Sequence, residues 1–356
     1  MALVMNEQTK WRLYEARWKV REQYFDRILR RHIFEKYLGF EPKIYLYGGK
    51  RLHRPEASNR ILAEGILSDE PFMASRFGNT EIHVMAGVMR RKLLGKDQSS
   101  QEELDKWFGR LCNGAGFFPV DKQLLEYYTQ VMLQACQQVD LLGMWHRPME
   151  DYLLRSYMKE TQITYLRWLE PWYAETPWTA ALKGKKVLVI HPFEKSIRKQ
   201  YARREKLFPG TDILPEFDLE VLKAVQTSAG SEDNRFKDWF EALDYMYQEA
   251  VKRDFDVAII GCGAYGMPLA AMLKQAGKKV IHLGGVTQIL FGIKGRRWVE
   301  SSIDRKIPMN ADWIYPDKEE TPQGADSVEA GCYWGSEERQ TDDGNERTDK
   351  KDSGTG

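Results

Sequence analysis

The chain has 356 residues, 42% of them hydrophobic and 29% charged, enough to bury a substantial core in one large domain or two smaller ones. A formal net charge of +1 excludes a global field that would recruit nucleic acid or a membrane, so charged partners must be met by local clusters. The 4 cysteines are scattered, with no CxxC pair and no histidine at zinc spacing, which argues against a disulfide framework or zinc site and fits a reducing compartment.

In chain order, Thr9 to Leu38 reads as one long amphipathic helix: Trp11, Tyr14, Trp18, Phe25, Ile28, Leu29 and Ile33 recur at helical spacing, and Gly39 stops it. Its other face carries Arg12, Arg17, Arg21, Arg27, Arg30 and Arg31. That face is either simply solvated or docks on an anionic membrane surface or a partner helix. Residues 1–11 lack the apolar stretch of a signal peptide, and the longest apolar run, 257–273, contains three glycines and a proline. It reads as strand, turn and helix rather than a membrane span. A cytoplasmic protein is expected, with peripheral contact at the inner membrane face if the basic helix docks there.

Lys43 to Tyr47 is a short strand candidate and Pro55 to Ile66 a helix. Pro71 to Phe77 is a second strand, Thr80 to Leu94 a helix, Asp121 to Val139 another, and Leu141 to Trp145 a strand. The stretch from Trp168 to Trp178, broken by Pro171 and Pro177, reads as a connector. From Lys185 the texture changes. Lys186 to His191 is a continuous apolar strand of the kind buried on both faces of a parallel sheet. Asp218 to Val225 (strand), Asp238 to Arg253 (helix), Val257 to Ile260 (strand), Pro268 to Ala276 (helix) and Lys279 to Leu283 (strand) follow. This alternation argues for βαβ units, hence an α/β, Rossmann-like three-layer fold with a mainly parallel sheet. The expected organisation is an amphipathic helix over 1–40, an N-terminal α/β half over 41–182, a Rossmann-like nucleotide-binding half over 183–316, and a mostly disordered tail over 317–356. The 11 Trp are read as core packing, with sugar-stacking surfaces as the other use of such residues.

Gly261-Cys-Gly-Ala-Tyr-Gly266 fits G-x-G-x-x-G between a strand and a helix. Gly261, Gly263 and Gly266 allow a tight turn and close backbone approach to a phosphate, and the helix start offers free N–H groups, with Tyr265 in the same loop. A dinucleotide site also wants an acid about 20 residues on to hold the ribose. No carboxylate occurs between Asp256 and Glu300, and the next strand ends instead in His282, Leu283, Gly284 and Gly285. An ordinary NAD site is therefore disfavoured. NADP, with Lys278 or Lys279 on its 2′-phosphate, stays open, as does a turn used only for packing.

In an open parallel sheet, ligands gather at the carboxyl ends of strands. His191, Glu194, Lys195 and Ser196 would sit there, with His282 at the end of a neighbouring strand and Lys223 and Gln226 at the end of a third. Each could equally be structural. The most loaded short segment of the first half is Ser75-Arg-Phe-Gly-Asn-Thr-Glu81, at a strand-to-helix transition. A carboxylate there can be a helix cap, a metal ligand or a general base.

Arg76-Phe-Gly-Asn79-Thr-Glu81 resembles the Arg-Phe-Gly-Asp-x-Glu segment of the GT-D-type bacterial glycosyltransferases, and the order of motif and glycine loop from Pro71 to Arg297 is similar to theirs. The resemblance implies transfer of a sugar from a nucleotide-sugar donor to a glycan, lipid-linked or protein acceptor, as in polysaccharide assembly, with manganese or magnesium helping the diphosphate leave. It places Asn79 and Glu81 at the metal positions, with Arg76, Glu81 and His191 as catalytic candidates. The family's first acid is Asn79 here, which brings an oxygen but no charge. Without metal, Arg76, Lys195 and the loop amides would have to stabilise the departing diphosphate. An NADP-linked oxidoreductase and a non-catalytic nucleotide- or glycan-binding protein are the competing readings.

Overall fold

A computed structural model describes residues 5–21, 45–231, 233–300 and 306–335. Helix α1 (Glu7–Val20) opens it, with the Asn6 side chain accepting the Thr9 amide at 2.8 Å. Over this part Trp11 and Tyr14 are buried while Arg12, Leu13, Arg17 and Val20 are exposed; residues 22–44 of the expected helix lie outside the described residues. Strands β1 (Leu46–Tyr47) and β2 (Lys50–His53) form a small hairpin before helix α2 (Pro55–Leu67). Strand β3 (Phe72–Ser75) and helix α3 (Asn79–Leu94) follow.

Helix α4 (Gln98–Ala115) has no counterpart in the sequence reading, although it buries Leu104, Phe108 and Leu111 on one face. It is set by its ends: Asp97 caps it through the Ser100 amide at 2.9 Å, and Gly116 terminates it in the left-handed region at φ 84°. Helix α5 (Leu125–Cys136), strand β4 (Leu141–Met144), helix α6 (Glu150–Ser156) and strand β5 (Gln162–Tyr165) complete this part. The Trp-rich connector coils into 3-10 turns that bury Trp168, Trp172 and Trp178, so these rings are core.

Strand β6 (Lys186–His191), helix α7 (Glu194–Tyr201), strand β7 (Asp218–Lys223), helix α8 (Trp239–Val251), strand β8 (Val257–Ile260), helix α9 (Gly266–Gln275) and strand β9 (Lys279–His282) follow the predicted alternation. Two single-turn helices, α10 (Thr287–Leu290) and α11 (Arg296–Val299), come last.

The nine strands form one sheet in the order β1-β2-β5-β4-β3-β9-β8-β6-β7. Among the described residues, only the β1–β2 pair is antiparallel. The fold is thus mixed α/β with a mostly parallel sheet. The halves drawn at 182/183 share that sheet, because β3 of the first pairs with β9 of the second. Side chains alternate across it. Leu188, Ile190, Ala258 and Ile260 point into one layer with α3, α5, α8 and α9; Val187, Val189, Val257 and Ile259 point into the other with α2 and α7. Burial of each such side chain contributes roughly 1.5–3 kcal/mol, which is why these runs are apolar on both faces.

The expected tail boundary at 317 needs correction. Val328, Cys332 and Trp334 are buried in the second layer, so the chain stays packed through residue 335. The low apolar density beyond Pro316 hid this, because a few large side chains suffice to anchor the segment. Residues 336–356 lie outside the described residues. Among the described residues, no helix is long and apolar enough to cross a membrane.

Candidate functional site

Because β3, β4, β6, β8 and β9 are parallel, their carboxyl ends share one edge. There β3 turns through Arg76, Phe77 and Gly78 into α3. Phe77 is fully buried and its carbonyl accepts the Trp145 indole N–H at 3.1 Å, tying this turn to the one after β4. The Glu81 side chain is buried and folds back over the start of α3: a Cβ on residue 78 would lie 1.8 Å from its Oε2. Only glycine leaves that room. Burial raises the Glu81 carboxyl, while Arg76 and the amides of Glu81 and Thr80 oppose the rise. Glu81 is thus a buried helix-start carboxylate in the field of a cation.

Arg76 lies over the Trp145 ring, 5.0 Å from its centroid. Its Nε is sealed from solvent and has no hydrogen-bond partner among the described residues; the same holds for Asn79 Oδ1. Burial lowers the Arg76 guanidinium from its ordinary value, against the field of Glu81. A second guanidinium, Arg147, sits 3.9 Å from the Trp145 centroid. The turn that presents Trp145 and Arg147 is strained: His146 (φ 62°) and Met149 (φ 60°) are left-handed, at about 1–2 kcal/mol each for a residue with a side chain. The fully buried Glu150 holds it by accepting the amides of Trp145 (3.3 Å) and Arg147 (3.2 Å). Burial pushes the Glu150 carboxyl up to about 7.

The glycine loop after β8 is surrounded differently. A Cβ on Gly261 would meet the Gly284 carbonyl at 2.6 Å and His191 Cδ2 at 2.8 Å. One on Gly266 would meet His282 Nε2 at 2.2 Å, and Gly263, at φ 60°, presses on the Ala115 carbonyl. Tyr265 is buried, stacks on Trp239 with centroids 5.0 Å apart, and shares its hydroxyl with Thr227 at 3.1 Å. Both histidines are buried. His191 Nδ1 accepts the Phe193 amide at 3.0 Å, and His282 Nδ1 pairs with Ser75 Oγ at 2.9 Å. Burial depresses each to about 3, with Arg76 adding to the effect at His282, so both are neutral near pH 7.

Lys195 and Ser196 open α7, where their amides and the Ser196 hydroxyl bind the buried carboxylate of Glu320 from the chain's own C-terminal part. The Lys195 ammonium pairs with Asp317 and Glu319 at 3.3 and 3.2 Å. Lys223 ends β7, four strand spacings from β3, roughly 19 Å away. It and the half-buried Gln226 do not join Arg76. Arg76, Asn79, Glu81, His282, Gly284 and Gly285 do gather: a Cβ on Gly284 would lie 3.3 Å from Arg76 Nη1. Lys278 and Lys279 lie at the amino end of β9, the far end from the glycine loop, and the Lys278 ammonium binds the Phe255 carbonyl at 3.1 Å. Neither can reach a 2′-phosphate held at that loop.

The expected metal pair, Asn79 and Glu81, offers one neutral oxygen and one buried carboxylate that already lies in the field of Arg76. A hard divalent cation takes six or more oxygens and gains most from charge. This donor set does not fit a resident cation. Among the described residues, no three His, Cys, Asp or Glu side chains cluster as a metal site.

No protein-family model and no curated protein matches the chain. Among solved structures, it is similar to a domain of unknown function 1792 described as having a distinct glycosyltransferase fold. Identity is 14%, over 64% of this chain and 81% of that one, with a TM-score of 0.34.

Sequence reading missed Trp145, Arg147 and Glu150. The signal was present, since Trp145-His-Arg-Pro-Met-Glu150 directly follows a strand, but the same segment also reads as a polar loop. It missed Glu320 and Tyr333 as well, which lie where composition falls to loop character.

Proposed function

We propose that this chain is a glycosyltransferase that takes a sugar from a nucleotide-diphosphate sugar and gives it to a hydroxyl of a glycan, lipid-linked or protein acceptor. One observation carries the reading: the Arg76 guanidinium, beside Arg147 on the Trp145 ring at the carboxyl edge of a parallel sheet, keeps a sealed donor that has no partner among the described residues. A buried unpaired donor costs about 1–3 kcal/mol, and an anionic ligand recovers it. The Arg76–Glu81 motif resemblance names the anion as a nucleotide-sugar diphosphate.

In the reaction, the acceptor oxygen forms a bond to the anomeric carbon and the carbon–oxygen bond to the diphosphate breaks. The acceptor proton passes to Glu81, a base strengthened by burial. The nucleoside diphosphate leaves with the bonding electron pair, its charge met by Arg76. No step is assigned to a metal. The exposed Arg12 and Arg17 of α1 suit a membrane-borne acceptor at the cytoplasmic face.

A thermal-shift panel of uridine-, guanosine-, cytidine- and thymidine-diphosphate sugars, with and without manganese, and of NADPH tests the reading. Stabilisation by at least one sugar nucleotide is expected, lost in Arg76→Ala, with transfer or slow hydrolysis lost in Glu81→Gln. Stabilisation by NADPH alone would sink it. Binding that persists in Glu81→Ala, with no turnover in the wild type, would leave a binding module.

A further inference from the structure

The last described segment, residues 317–335, crosses the same edge of the sheet as a strap. One end is latched by Glu320, whose carboxylate takes the amides of Lys195 and Ser196, while Ser196 Oγ accepts the Asp317 amide at 3.0 Å. The other end is stitched to α11: the Arg296 amide donates to the Trp334 carbonyl and the Arg297 amide to that of Cys332, both at 3.1 Å. Between them, the Tyr333 ring fills the space left by the missing side chain of Gly285, where a Cβ would sit 2.5 Å from it. The Arg297 guanidinium lies 4.9 Å from the Tyr333 centroid, with its Nη1 3.4 Å from the hydroxyl, and pairs with Glu329 of the strap.

Gly285 adjoins Gly284, which touches Arg76, so strap and motif turn meet over the end of β9. Burial raises the Tyr333 phenol, while Arg297 and Arg76 both favour its charged form, which puts the ring within the field of both guanidiniums. A cavity of about 270 Å³ between α11 and the strap is lined by Arg296 and Arg297 together with Glu300 and Glu329, and lies to one side of Arg76 and Tyr333. Glu81 and Glu329 offset part of the charge on Arg76 and Arg297, and the two like charges still repel in this desolvated place, a cost that a bound anion lowers.

We infer that the strap completes the anion site, with Arg297 and the Tyr333 hydroxyl binding a diphosphate together with Arg76, and with Glu320 positioning the strap. The inference rests on the proposed donor chemistry but assigns residues that the motif does not reach. It also says where the diphosphate does not go: the start of α7 is filled by Glu320, so Lys195 and Ser196 hold the strap.

Inorganic pyrophosphate, titrated calorimetrically into the full chain, tests this without needing the right sugar or base. Binding is expected to weaken tenfold or more in Arg297→Gln and several-fold in Tyr333→Phe, with partial recovery in Arg297→Lys. Hydrogen exchange should show pyrophosphate slowing the amides of 296–299 and 328–335, and Glu320→Gln should weaken that protection. Wild-type affinity in both Arg297→Gln and Tyr333→Phe overturns the inference, as does absence of pyrophosphate binding or of strap protection. The sugar-nucleotide transfer assay is decided independently, so the two ideas can fail apart.

Discussion

The turn after β8 and the turn after β3 share a plan, strand then glycine then helix, at one edge of one sheet, and they are furnished in opposite ways. After β8, the space beside Gly261 and Gly266 is taken by His191, His282 and the Gly284 carbonyl, all protein. After β3, Gly78 makes room for a carboxylate, and Arg76 Nε and Asn79 Oδ1 are left without partners among the described residues. A glycine-rich signature reports that something comes close to the backbone. It does not say whether that is a ligand or a neighbouring strand. The polar atoms left over after packing make that distinction, and they point to the β3 turn.

The sharpest way to break the contrast is Gly261→Ala. Its methyl would meet a backbone carbonyl at 2.6 Å, which cannot rotate away, so a loss of about 3 kcal/mol is expected in urea unfolding. A loss well under ~1 kcal/mol would mean that the loop has slack for a ligand, and the comparison would fall. Next in size is Arg76→Ala. It should cost ten- to a hundredfold in affinity for a nucleoside diphosphate, about 1.4–2.8 kcal/mol, by isothermal titration. Unchanged affinity would move the anion site elsewhere.

The buried titratable groups at this edge, including His83 on α3, also respond to pH in opposite directions. Burial depresses His191 and His282 to about 3 and His83 to about 4, so the neutral forms belong to the folded state. Their contribution is complete above about 6.5 and is lost as pH falls toward 4 and 3. Glu150 is raised to about 7 and runs the other way: its contribution is present at low pH and lost as pH rises from about 4.5 through 7. Near pH 5.5, unfolding should therefore take up about two protons from these four groups. In Glu150→Gln the uptake should rise to about three and the acid limb of the stability curve should steepen. An unchanged slope would show that Glu150 titrates normally and does not bind the Trp145 turn as a buried carboxyl.

The apolar strands β6, β8 and β9 were legible to within a residue or so, because being buried on both faces leaves little freedom of composition. The short polar strand β2 and helix α4 were not, since one rests on pairing with β5 and the other on its caps. For the candidate site, Arg76 and Glu81 stand five residues apart in one recognisable segment, so sequence found them. Trp145, Arg297 and Tyr333 reach the same place from the turn after β4, from α11 and from the strap. Only the sheet order brings them together, because β9 lies between β3 and β8. Glu320 could not have been anticipated: a carboxylate in a polar stretch says nothing of the helix start it will cap 124 residues away.

The smallest expected effect on stability is the most discriminating. Gly78→Ala places a methyl 1.8–2.0 Å from the Glu81 carboxylate, a closer approach than any at Gly261, yet the obstacle is the far end of a flexible side chain. The backbone at 78 is ordinary, with φ −71° and ψ 149°, so alanine brings no strain there. Glu81 can swing outward and lose its place at the start of α3, which costs about 0.5–1 kcal/mol, less than the alanine at 261. What it gives up is its position beside Arg76. Donor turnover should then fall far more than stability does, with kcat reduced about a hundredfold and Tm lowered by only a few degrees. If Gly78→Ala instead unfolds the protein while turnover per folded molecule is kept, the β3 turn is a packing turn like the other, and the contrast between them is lost.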